Sequence, residues 1–204
     1  MANSYENALL MERFVPIRQI GRGSFGRVYL VYHVKLSICA VKMIENQESN
    51  KNDMREWESA IYLLKEQFSC PFILKYLELD NSHFFDIISM EYCNLKTLSI
   101  ISKFPYIPLP SFTLRALMKQ ILEGLRAFHS TGLVHRDIKR DNILLHSPPG
   151  SGRVYAKISD FGLAKKVDLN NEQTYISGTI PFMAPELFKK PMNVTQKVDV
   201  YALG

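Results

Sequence analysis

The stretch GRGSFGRVYLVYHV, residues 21–34, limits what this chain can fold into more than any other. Gly21, Gly23 and Gly26 keep a GxGxxG spacing, which also occurs where a glycine-rich turn opens a helix against a dinucleotide pyrophosphate. Here Gly26 leads instead into Val28, Tyr29, Leu30, Val31 and Tyr32, a β-branched and aromatic run that makes a poor helix and a good strand. The run before the glycines, RFVPIRQIG, has the same character. The glycines therefore belong to a hairpin between two strands, where missing side chains let backbone N–H groups approach an anion. A purely structural glycine turn is the alternative that this stretch alone leaves open.

The pattern continues with SICAVKMI as a third strand and ENQESNKN as a polar loop. From about Asp53, the residues Met54, Trp57, Ile61, Leu64 and Phe68 recur at helical spacing. FILKYLEL and FFDIISMEY, joined by the turn-forming DNSH, predict another strand pair. Leu114, Leu117, Ile121, Leu122, Leu125 and Phe128 then form one helical stripe, started at Pro110-Ser111 and broken at Gly132. Two short strands, NILLH and VYAKIS, flank the flexible HSPPGSGR. The fold class is α+β, in two lobes. A β-rich lobe with one main helix runs over about 13–90, a connector over about 91–97, and a mostly helical lobe over about 98–204, with residues 1–12 as a flank.

The net charge of +5 comes from 25 Lys+Arg set against 20 Asp+Glu, and the basic residues are scattered, as on a solvated surface. No aromatic-basic interleaving and no zinc spacing accompany that charge, so nucleic acid is not an expected partner. Cys39, Cys70 and Cys93 are odd in number and widely spaced, which fits reduced thiols. The start MANSYENALLMERF lacks the pattern of a signal peptide, and runs such as FFDIISM are too short to span a bilayer. A soluble cytoplasmic protein without a membrane partner is expected.

Lys42 stands in CAVKM, at the end of the third strand and in an apolar setting, where a charge needs an anionic partner. Further on come LVHRDIKRDNILL, KISDFGLAKK and GTIPFMAPE. Together with the glycine loop and Lys42, these motifs resemble the eukaryotic protein kinase family in kind, spacing and order, from about Arg13 to Gly204. The resemblance implies a bilobal kinase fold and ATP-dependent transfer of phosphate to protein hydroxyls, with Mg²⁺. Phosphoryl transfer asks the protein chiefly for positioning and for compensation of negative charge.

By this resemblance, Asp137 orients the acceptor hydroxyl and takes its proton, and Lys139 places a positive charge at the γ-phosphate. Asn142 and Asp160 hold Mg²⁺ through hard oxygen ligands, and Lys42 binds the α- and β-phosphates. The implied ATP site comprises Ile20, Gly21, Gly23, Ser24, Gly26, Val28, Ala40, Lys42, Met90, Glu91, Cys93 and Leu144, with Met90 guarding a back pocket and adenine pairing with backbone at Glu91 and Cys93. A glutamate on the helix after Lys42 is implied as its partner, and Glu56 and Glu58 both qualify. At about 100° per residue, Glu58 lies about 80° from the centre of the apolar stripe and Glu56 about 120°, which favours Glu58.

Lys139 and Thr179 follow the pattern of serine/threonine-specific members, so a protein substrate with a Ser/Thr acceptor is implied. Arg140 stands where many members carry proline. Glu186 corresponds to the residue that the family pairs with an arginine from a later helix. Arg136 before Asp137 implies control by a phosphate on the segment after DFG, placed by an upstream kinase on Thr174 or Ser177, with Tyr175 a weaker candidate. Asp199 corresponds to the aspartate that anchors the His135-Arg136 turn. Presence of Lys42, Asp137, Asn142 and Asp160 argues against the alternative, a pseudokinase that binds nucleotide or acts as a scaffold. The apolar ending QKVDVYALG resembles the first turns of the central helix of the large lobe. A chain cut there is expected to fold poorly and turn over little.

Overall fold

A helix that the sequence did not advertise comes first. The computed structural model describes residues 2–23, 26–45, 54–66, 68–82, 84–103, 106–166, 178–189 and 194–204. Residues Ala2–Met11, expected only as a flank, form α1. It ends in a left-handed cap: Arg13 takes φ 66°, the Arg13 N–H reaches the Leu10 carbonyl at 3.1 Å, and the Phe14 N–H reaches Leu9 at 2.9 Å. This double bond pattern satisfies the last carbonyls of the helix and brings Leu9 and Phe14 together. Both are buried in one cluster.

The chain divides into two compact units, Met1–Phe68 with Lys75–Tyr92, and Ser69–Leu74 with Cys93–Gly204. In the first, β1 (Val15–Gly23), β2 (Gly26–His33), β3 (Ser37–Glu45), β4 (Tyr76–Asn81) and β5 (Phe85–Glu91) form a five-stranded sheet in the order β1-β2-β3-β5-β4. Every neighbouring pair is antiparallel. Alternation along β3 sends Cys39, Val41 and Met43 to one face, where they meet Tyr29, Val31, Phe85 and Ile87. Tyr5 and Leu9 of α1 close that face. On α2 (Met54–Lys65), Ser59, Ala60 and Leu63 are buried, and Trp57, Ile61 and Leu64 flank them half-buried.

The second unit holds α3 (Ser111–Ser130), β6 (Leu133–Val134), β7 (Ile143–His146), β8 (Tyr155–Ile158), β9 (Lys165–Lys166) and α4 (Lys197–Tyr201). β6 pairs with β9 and β7 with β8. Of the expected stripe on α3, Leu117, Ile121, Leu125 and Phe128 are buried, whereas Leu114 and Leu122 are exposed. FILKYLEL is not one strand: Ile73 bridges Ile158 of β8 in the second unit, and β4 begins only at Tyr76. Val134, Ala184, Leu187, Val194 and Val198 form a further core around α4. Among the described residues no helix is long and apolar enough to cross a membrane.

Candidate active site

In the second unit the loop after β6 carries the HRD sequence, and a buried carboxylate holds it. Asp199 of α4 is 1% exposed. It accepts the His135 N–H at 2.8 Å, the Arg136 N–H at 2.7 Å and the His129 ring nitrogen Nε2 at 2.8 Å. Arg136 stands at φ 66°, an uncommon conformation for a residue with a side chain, and the two backbone bonds to Asp199 stabilise it there. The same residue meets Gly178 from the other side. A Cβ on Gly178, at φ 128°, would lie 2.6 Å from the Arg136 carbonyl oxygen, so only glycine fits. That close approach sets the next residue, Thr179, over the loop.

Four side chains converge there. Thr179 Oγ1 donates to Asp137 Oδ1 at 2.6 Å and accepts from Lys139 Nζ at 2.8 Å. Lys139 also donates to Asp137 Oδ2 at 2.8 Å, and Asn142 Nδ2 donates to that oxygen and to the Asp137 carbonyl, both at 2.8 Å. Burial alone would push the Asp137 carboxyl up, but the bonds from Lys139 and Thr179, the Lys139 charge and the Asn142 bond hold it below the usual carboxylate range. A group that accepts this many donors stays ionised and fixed in direction.

His135 is fully buried, donates through Nε2 to the Ser159 carbonyl at 3.0 Å, and accepts the Asp137 N–H at Nδ1, 3.3 Å away. Donating on one side and accepting on the other defines a neutral ring with its proton on Nε2. Ser159 in turn gives both its N–H and its hydroxyl to the Asn142 carbonyl, each at 2.9 Å. Asp160 follows directly, half-buried at φ 65°, and the next side chain, Phe161, is fully buried. Its ring stacks on Phe128 at 5.1 Å and meets His135 edge-on at 5.5 Å. Asn142 and Asp160 are thus tied together through Ser159. The Asn142 amide nitrogen is engaged by Asp137, so its oxygen is the atom suited to a cation. Among the described residues no group of three or more His, Cys, Asp or Glu could hold a metal. A carboxylate and an amide oxygen are hard donors, of the kind that a divalent cation retaining waters accepts.

Arg136 is buried, and its Nε donates to the Leu163 carbonyl at 2.6 Å. Leu144 is half-buried on β7, Cys93 is buried, and Glu186 is half-buried in a short 3₁₀ turn. In the first unit, Ile20, Gly21 and Gly23 lie on β1, Gly26 and Val28 on β2, Ala40 and Lys42 on β3, and Met90 and Glu91 on β5. The two glycine-bearing strands pair down to Gly23 opposite Gly26. Gly26, at φ 137°, is required by the sheet itself, since a Cβ there would come 2.1 Å from the Met43 carbonyl oxygen. A Cβ on Gly23 would meet no described atom within 4 Å. Glu91 accepts the Lys75 N–H at 2.8 Å through its carboxylate. Glu58 is exposed on α2. Ser24, Thr174, Tyr175, Ser177 and the side chain of Glu56 lie outside the described residues.

Sequence reasoning did not single out His129 or Ser159. Their signal is spatial: His129 precedes Asp199 by 70 residues, and Ser159 follows Asn142 by 17.

Comparison with known proteins agrees with this arrangement. The model of the protein kinase domain matches residues 14–204. The chain is 34% identical over 204 residues to the mitogen-activated protein kinase kinase kinase MST11 of Pyricularia oryzae, covering 91% of this chain and 21% of that protein. It is 32% identical to the serine/threonine-protein kinase pakH of Dictyostelium discoideum, covering 91% of this chain and 35% of that protein. With the serine/threonine-protein kinase SBK1 of Danio rerio it shares 30% identity, over 100% of this chain and 52% of that protein. The chain therefore spans between a fifth and about half of the length of these relatives. With the kinase model matched over nearly its whole length, the HRD loop anchored on Asp199 and Thr179 bonded to Asp137, the chain belongs to the protein kinase family.

Proposed function

We propose that the protein transfers the γ-phosphoryl group of ATP to serine or threonine hydroxyls of protein substrates. The observation that carries this reading is the convergence of Lys139, Thr179 and Asn142 on Asp137. An acceptor hydroxyl placed at Asp137 is oriented toward the γ-phosphorus and passes its proton to the carboxylate. As its oxygen bonds to phosphorus, the bond to the β,γ-bridging oxygen breaks and ADP leaves. Lys139, already beside the carboxylate, offsets charge on the transferred group. Lys139 also bonds the Thr179 hydroxyl, and this pair follows the pattern of the serine/threonine-specific members.

Lys42 binds the α- and β-phosphates and the backbone of the glycine hairpin approaches them. By the family pattern Val28, Ala40 and Leu144 would sandwich the adenine, with Ile20 in the same ATP site, Met90 would guard the back pocket, and backbone at Glu91 and Cys93 would pair with the adenine edge. Asn142 and Asp160 would hold Mg²⁺, which would supply positive charge to offset that of the phosphates. Arg136 receives a phosphate set on Thr174 or Ser177 by an upstream kinase. The protein works in the cytoplasm.

The test is transfer of labelled phosphate to generic protein substrates by the full-length protein, beside an Asp137→Asn control. Transfer above the control supports catalysis. A signal equal to the control, with nucleotide binding retained, replaces this reading with a nucleotide-binding scaffold.

A further inference from the structure

Helix α1 lies outside the stretch matched by the kinase model, which begins at residue 14, yet it is built into the first unit. Tyr5 is 6% exposed and Leu9 fully buried. The Tyr5 ring lies 4.8 Å from the ring of Phe85, and the Arg27 guanidinium stands 4.1 Å above it. Its hydroxyl donates to the carboxylate of Glu45, the last residue of β3, which pairs with Phe85. Burial and then the Glu45 carboxylate hold the Tyr5 phenol above its ordinary range, so it remains a donor. Alternation along β3 puts Glu45 on the same face as Cys39, Val41 and Met43, and Lys42 on the opposite face. The helix thus grips, from behind, the end of the strand that carries Lys42.

We propose that Tyr5 is a positioning residue for nucleotide binding: through Glu45 it fixes the end of β3, and α1 acts as a strap that holds Lys42 in its binding position. This rests on the reading of Lys42 as the phosphate ligand. Binding is tighter when the ligating group is held beforehand, because less freedom is lost when the nucleotide arrives.

The test measures the affinity of the full-length protein for a fluorescent ATP analogue with Mg²⁺, well below the melting temperature. Tyr5→Phe keeps the ring beneath Arg27 and removes only the hydroxyl, so it is expected to weaken binding about threefold. Glu45→Ala should weaken it equally, the double variant should be no worse than either single one, and Glu45→Gln, which keeps an acceptor, should bind like the parent. Ile87→Val in β5 serves as the purely structural comparison, lowering the melting temperature with affinity unchanged. Loss of melting temperature without loss of affinity in Tyr5→Phe overturns the strap. Undiminished binding in Lys42→Met, with Tyr5→Phe still weakened, instead removes Lys42 from the nucleotide site and overturns the strap's route through it.

Discussion

The glycine hairpin and the HRD loop both place groups for phosphate chemistry, but they hold them by different means. In the hairpin the backbone does the placing: antiparallel register runs from Val15–Tyr32 down to Gly23–Gly26, and Gly26 is pinned against the Met43 carbonyl. In the loop, side chains do it. Asp199 fixes two backbone amides, Ser159 fixes Asn142, and three donors fix Asp137. A site made by register tolerates change wherever a side chain would point into open space. One made by mutual hydrogen bonds has no neutral member, because each substitution strands a buried partner.

The sharpest way to probe that difference is Asp137→Asn. It keeps the side chain's size and is expected to lower transfer about 1,000-fold in single-turnover assays with labelled ATP, with the melting temperature lowered as well because its amide meets the donors that Asp137 accepts. Asp199→Ala comes next. It leaves the His135 and Arg136 N–H groups unpaired inside the protein and is expected to cost about 3 kcal/mol in denaturant unfolding. Equal stability to the parent would show that the loop is not anchored through α4.

Within the hairpin, Gly26→Ala is expected to destabilise by about 3 kcal/mol, since backbone must move to admit its Cβ. Gly23→Ala should stay within about 0.5 kcal/mol of the parent in unfolding while weakening nucleotide binding severalfold. If both alanine variants melt alike, the distinction between register and ligand approach is wrong. The pH dependence is a gentler probe. Because Asp137 is held below its ordinary range, its contribution to stability is present above the unfolded carboxylate pKa of about 3.9 and is lost as pH falls below it. A pH–rate profile should therefore show no loss from protonation of Asp137 between about pH 5 and 8, whereas a limb that vanishes in Asp137→Asn would contradict this. The smallest effect is Arg13→Gly, which relieves a left-handed residue at an exposed cap and should stabilise by about 0.5 kcal/mol in thermal unfolding.

The parts of the molecule that were legible in the sequence are those written in neighbouring residues. The strand character after Gly26 told the hairpin from a helix-opening loop, and HRDIKRDN carries Asp137, Lys139 and Asn142 within six positions, Asp137 to Asn142. Features that depend on distant partners were not legible. Helix α1 has no glycine at its end, because Arg13 takes the position that glycine usually fills. Phe72–Leu74 reads as the front of the strand FILKYLEL because its residues are apolar, but Ile73 and Leu74 are joined to Ile158 of β8. Leu114 and Leu122 fit the α3 stripe by spacing, yet the buried arc passes through Leu117, Ile121 and Phe128 and leaves them outside. Spacing likewise put Glu58 at the margin of α2's apolar side, where the structure has it exposed.

The interleaving of the two units has a consequence for synthesis. The chain passes from one unit to the other at residues 68–69, 74–75 and 92–93, so no single cut separates them. Ile73 and Leu74 leave the ribosome long before Ile158, their partner across 85 residues in the case of Ile73. At about 5–20 residues per second that wait lasts roughly 4–17 s. During it, two aliphatic side chains that are buried in the finished fold stand without the strand that covers them.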